Sequence, residues 1–168
     1  MTFSFKEIKN KFFEFIPLFL LFFISLNGSS IIDFRFFSIN VHYILIYYWV
    51  LRKPQALGYG YIFISGIITD VMFGFPMGLT ALVLLIVATV AAYVRVVTVR
   101  VSLFSDWMVF IPALLTANLV YFLILYFSNY SIDYLYLIKN SIFTFIFYPI
   151  LWLFFEILIR ITKLRVNV

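Results

Sequence analysis

Long apolar runs, broken by short clusters of charge, proline and glycine, set the pattern of this chain. The runs do not alternate apolar and polar residues, as the strands of a membrane barrel do over about 10 residues. They are long enough for helices that cross a bilayer, which need roughly 20 mostly apolar residues. The pattern predicts six such segments: Phe12 to Leu26 and on to Ile32, Phe34–Leu51, Tyr59–Phe75, Pro76–Tyr93, Asp106–Phe127 and Asn140–Ile159. The expected fold is an all-α membrane protein, a compact bundle of six transmembrane helices forming one polytopic domain over residues 1–168. The connections are short, and no internal repeat or low-complexity tract stands out.

Composition sharpens this reading. Of 168 residues, 65% are hydrophobic and 11% charged, whereas soluble domains run near 45–50% apolar and about 25% charged. Such a chain has too few polar residues to cover a water-facing surface, and in lipid its backbone groups must pair internally. A net charge of +5 would suggest nucleic acid in a soluble protein; here the arrangement of the charge points to the lipid bilayer and to no nucleic acid. With the N-terminus placed in the cytoplasm, Lys6, Lys9, Lys11, Arg52, Lys53, Arg95, Arg100, Arg160, Lys163 and Arg165 all fall inside, and Arg35 and Lys139 fall outside. This positive-inside bias predicts an even number of spans and two cytoplasmic termini. The basic start, apolar core and "NGSS" have the outline of a signal peptide, but the A-x-A type site is missing and five more spans follow, so the first segment is expected to stay as a helix.

Candidate chemistry is sparse. There is no cysteine and a single histidine, His42, so a zinc site of about four Cys, His, Asp or Glu ligands is not expected, and no cofactor is. His42 lies in an apolar run and reads as a packed or interfacial residue. No G-x-S-x-G, H-E-x-x-H or P-loop motif occurs, and no carboxylate pair is placed for acid–base work, which argues against an enzyme. Glu156 and Arg160 are four apart in the favourable order for a helix pair, and Glu14 beside Lys11 reads the same way. Asp106 with Ser105 looks like the N-cap of the fifth helix. Pro17 and Pro112 are expected in first turns, and Pro149 as a kink in the sixth span.

"SGIITDVMFGFPMGL", Ser65–Leu79, is the exception to this sparseness, because Asp70 is the one charge between Lys53 and Arg95. Gly66, Asp70, Gly74 and Gly78 are spaced by four, so on a helix Gly66 and Gly74 share a face with Asp70 and would let a second helix come close. Pro76 disfavours helix at Phe75 and suits the first turn of a new one, to which Gly78 then belongs. "GFPMG" is thus expected as a tight turn at the outer face. A carboxylate there needs compensation: N–H groups at the start of the fourth helix, Arg35 or Lys139, or Thr116 and Asn118. Two roles stay open for it, a structural staple of the hairpin and a contact to a partner or ligand.

The stretch "YYWVLRKPQALGYGYIFISGIITDVMFGFPMGLTAL", Tyr47–Leu82, resembles the rod shape-determining MreD family. It carries an aromatic helix end, the basic-proline turn Arg52-Lys53-Pro54, then G-x-x-x-D and G-x-P-x-G. The resemblance implies a fold similar to the substrate-binding components of energy-coupling-factor transporters. It also implies a non-catalytic scaffold of the cell-elongation machinery in the bacterial cytoplasmic (inner) membrane. Implied partners are an MreC-like bitopic protein, the peptidoglycan elongation synthases and, indirectly, MreB-type filaments. Gly66, Asp70, Gly74, Pro76 and Gly78 carry the family motif. The alternative is a vitamin-type substrate-binding component of a transporter, with an outward pocket lined by Asp70 and aromatics.

Overall fold

The computed structural model describes residues 15–27, 38–98, 102–130 and 133–166, with side chains through Arg160. Lys6, Lys9, Lys11, Glu14, Arg35, Arg100 and the expected beginnings of the first two spans lie outside the described residues. Within them the chain is all-helical: α1 Ile16–Asn27, α2 Val41–Arg52, a 3-10 turn Pro54–Ala56, α3 Tyr59–Phe73, α4 Leu79–Val97, α5 Leu103–Phe127 and α6 Tyr134–Val166. Among the described residues α4, α5 and α6 are long and apolar enough to cross a membrane, while α1 and α3 are apolar but shorter.

Local chemistry sets the helix ends. Asn40 caps α2, its side chain accepting from the Tyr43 N–H at 3.3 Å. At the far end Pro54 disfavours helix at Lys53, which turns out with φ −143°. Ser102 caps α5 through a 3.2 Å bond from the Ser105 N–H. Asp133 heads α6, accepting the Tyr136 N–H at 3.1 Å.

Several expected boundaries shift. The second span begins at Val41, because Ser38–Asn40 are not helical, and at 12 residues it covers about 18 Å. The fourth begins at Leu79 rather than Pro76, and the sixth runs from Tyr134 to Val166 rather than over Asn140–Ile159. The fifth begins at Leu103, so Asp106 sits in its first turn and the cap is Ser102. Pro17 does lie in a first turn, but Pro112 is well inside α5 and Pro149 inside α6, both of which run on past the proline. Near Pro112 the Thr116 hydroxyl donates back to the Pro112 carbonyl at 2.8 Å.

Two helices make the centre. In α2 every residue from Val41 to Leu51 is buried, so it is enclosed on all sides, chiefly by α1, α4 and α6. α4 packs on α2, α3 and α5, presenting buried Ala81, Leu84, Ala88 and Ala91 at intervals of three and four. Buried Phe110, Ala113 and Ala117 repeat that spacing on α5. Small residues on such seams allow close helix contact, and van der Waals packing is what joins helices in lipid. Tyr47, Phe110 and Tyr148 interlock in the core, with ring centroids 5.0 Å apart for Tyr47–Phe110 and 4.6 Å for Phe110–Tyr148.

Candidate functional site

The Asp70 hairpin is built from backbone. Asp70 ends up 1% exposed near the end of α3. Its Oδ2 accepts the Gly78 N–H at 2.8 Å and its Oδ1 the Thr80 N–H at 2.9 Å. Both donors are among the N–H groups that a helix start leaves without internal partners, and the positive end of the α4 dipole favours the carboxylate. The donors at the start of the next helix are therefore the ones that meet Asp70. Thr116 bonds within its own helix, Asn118 donates to Ser141 Oγ at 2.8 Å, Lys139 is exposed on α6, and Arg35 lies outside the described residues.

The four surrounding motif residues do different jobs. Gly66 lies where α3 and α4 cross, and a Cβ there would run into the Ala81 backbone. Gly74, expected on the same contact stripe, instead terminates α3 in the left-handed region with φ +66°, and a Cβ on it would meet nothing. Its N–H and that of Phe75 both return to the Asp70 carbonyl, the latter at 3.0 Å. Pro76 opens a turn, its carbonyl accepting the Leu79 N–H at 3.0 Å. Gly78 is the third residue of that turn, with φ +92° and ψ −8°, the position for which a type II turn requires glycine. It is thus the cap of α4 rather than a member of it, and Pro76 lies before the helix rather than in its first turn. Tyr130 donates from its hydroxyl to the Gly74 carbonyl at 3.1 Å, tying the turn to the end of α5.

Arg52, Lys53 and Pro54 are not part of this site. They stand at the other end of α3, about 22 Å away along a 15-residue helix. Arg52 belongs to a second polar cluster. Its Nη2 lies 3.6 Å from Oδ2 of Asp106, itself 2% exposed, and its guanidinium stacks over the Trp152 ring at 5.3 Å. Trp152 Nε1 donates to the same Asp106 oxygen at 3.1 Å. Next to it, Tyr48 donates from its hydroxyl to Glu156 Oε2 at 3.0 Å, and Glu156 also meets Arg160 at 3.6 Å. Asp106 read as a cap hides this cluster in the sequence. The signal that could have exposed it is topological: Arg52 ends one expected span, Asp106 starts another, and the proposed alternation brings both to the same end.

His42 is fully buried. Its Nε2 lies 3.2 Å from Ser25 Oγ and 3.3 Å from the Leu21 carbonyl, fastening α1 to α2. Among the described residues no group of three His, Cys, Asp or Glu could hold a metal ion. A cavity of about 630 Å³ opens beside Arg52, Lys53 and Pro54, and Asp70 does not line it. Compared with protein-family models, curated proteins and solved structures, the chain matches none.

Proposed function

We propose that this chain is a six-pass protein of the bacterial cytoplasmic membrane, with both termini cytoplasmic. In this reading it acts as a non-catalytic scaffold of the cell-elongation machinery in the manner of the MreD family. It contacts an MreC-like bitopic protein and peptidoglycan synthases, and through them MreB-type filaments. The observation that carries this reading is the Tyr47–Leu82 stretch, whose G-x-x-x-D and G-x-P-x-G elements resemble that family. A fold similar to energy-coupling-factor substrate-binding components goes with the same resemblance. Supporting the six-pass reading, the contacts of α1 with α2 and of α5 with α6 are antiparallel. Ser25 near the end of α1 meets His42 at the start of α2, and Asn118 on α5 meets Ser141 on α6, while Asp106 at the start of α5 meets Trp152 far along α6.

The transporter-type alternative asks for an outward pocket with Asp70 free to bind. Instead, both Asp70 oxygens are taken by backbone donors, and the 630 Å³ cavity lies at the opposite end. An apolar flank on α6 formed by Ile138, Ile142, Ile146 and Ile150 is exposed, which suits a protein that works by contact. Depletion combined with affinity purification from native membranes in mild detergent tests the proposal. Rod-shaped cells should round up, and a single-span protein with a periplasmic domain should co-purify. Cells that keep their shape while uptake of one vitamin fails would decide for the transporter.

A further inference from the structure

The 630 Å³ cavity lies between the start of α1, the α2–α3 connection and the far ends of α4 and α6. Among the described residues its charge is of one sign: Arg52, Lys53 and Arg95 line it, and no carboxylate does. Lys53 and Arg95 are exposed and form no ion pair among the described residues. Arg52 gives one arm to Asp106, and its side chain stays 25% exposed. Phe15, Ile16 and Leu158 give the same cavity an apolar lining. Cations of one sign beside a hydrocarbon wall call for an oxyanion covalently joined to an apolar body.

We infer that this cavity seats the phosphodiester headgroup of an anionic phospholipid. The phosphate sits against Arg52, Lys53 and Arg95, and the acyl chains run along the side of Phe15 and Leu158. A lipid fits better than a soluble phosphate because Arg95 stands in the last turn of α4, a helix long and apolar enough to cross a membrane. That places the cations at headgroup depth, where basic pockets between transmembrane helices meet lipid phosphates. The inference rests on the membrane reading above and is independent of the cell-wall one.

Native mass spectrometry of the full chain in mild detergent tests this, with phosphatidylglycerol and phosphatidylcholine offered in turn. One phosphatidylglycerol should stay bound in preference to phosphatidylcholine. Lys53→Gln and Arg95→Gln should each weaken its retention about five-fold, and the double variant about 30-fold. Arg160→Gln removes a cation from the same end that does not line the cavity, and should change retention less than two-fold. Equal retention of both lipids, or an equal loss in Arg160→Gln, would overturn the inference. So would displacement of phosphatidylglycerol by millimolar inorganic phosphate alone, which would assign the cavity to a soluble anion. A chain absent from the membrane fraction would instead sink the membrane reading itself, so the two failures are separable.

Discussion

At the scale of single residues, Asp70 and Gly66 make opposite demands. Asp70 must accept two N–H bonds at once, from Gly78 and Thr80. In Asp70→Asn the amide oxygen can accept one of them, and the amide nitrogen then faces the other N–H, donor against donor. The expected loss is about 1–3 kcal/mol, that of a buried donor left unpaired, and it should be read as a lower unfolding temperature in detergent. A staple loses stability and function together; a variant that stays as stable as wild type but no longer co-purifies with its partner would make Asp70 a contact residue. Gly66→Ala should cost about 1–3 kcal/mol by overpacking against the Ala81 backbone. Gly60→Ala on the same helix, where a Cβ meets nothing, should be neutral or stabilising by up to about 1 kcal/mol. Equal effects of the two alanines in thermal melts would refute the close crossing. Gly66 was legible in the sequence, since spacing and residue size suffice. Gly74 was not, because the same spacing of four fits a glycine on a contact stripe and a glycine ending a helix, and only its positive φ separates them.

At the scale of elements, the α3–α4 hairpin and the α2–α5–α6 end are held by different physics. The hairpin uses neutral donors at a helix start, a local device confined to Asp70–Thr80, which is why the sequence revealed it. The other end uses a partly buried ion pair across three elements far apart in sequence, which no local pattern can show. Arg52→Met removes the cation beside Asp106 and leaves a buried carboxylate with Trp152 as its donor. Arg52 is 25% exposed and 3.6 Å away, so screening brings the cost below the roughly 3–5 kcal/mol of a fully buried pair, to about 1–3 kcal/mol. Lys53→Met beside it, exposed and unpaired, should stay within about 0.5 kcal/mol. Melting both variants side by side checks this; equal losses would show that Arg52 acts as a general surface cation. The helix boundaries missed in the sequence share a cause. Apolar runs fix that a helix exists, but Asn40, Gly78, Ser102 and Asp133 decide where it starts, through capping or turn geometry.

For the whole molecule, the expectation that can be tested most directly is topology. The chain has no cysteine, so single cysteines report without background. Met77 is 76% exposed in the Gly74–Gly78 turn, and Gln55 is exposed in the α2–α3 connection. Met77→Cys should react with an impermeant maleimide in intact spheroplasts, and Gln55→Cys only after the membrane is opened. The reverse pattern would invert the proposed orientation, and labelling of both from outside would break the six-pass reading. The sequence carried the helical class, since that follows from long apolar runs without alternation. It did not carry the depth at which each helix sits, because neighbours settle that.

The enclosure of α2 bears on how the protein is made. A segment of 12 residues that includes His42, Tyr43, Tyr47, Tyr48 and Trp49 is too short and too polar to leave the translocon alone and rest in hydrocarbon about 30 Å thick. The chain must reach α4, and then α6, before the walls that surround α2 exist. Biogenesis is therefore ordered: α2 waits at the translocon or at the membrane surface and is drawn in when its neighbours arrive. Ribosome-stalled chains long enough for α2 to have cleared the exit tunnel, but not α4, should leave α2 accessible to a water-soluble label, whereas released full-length chains should protect it.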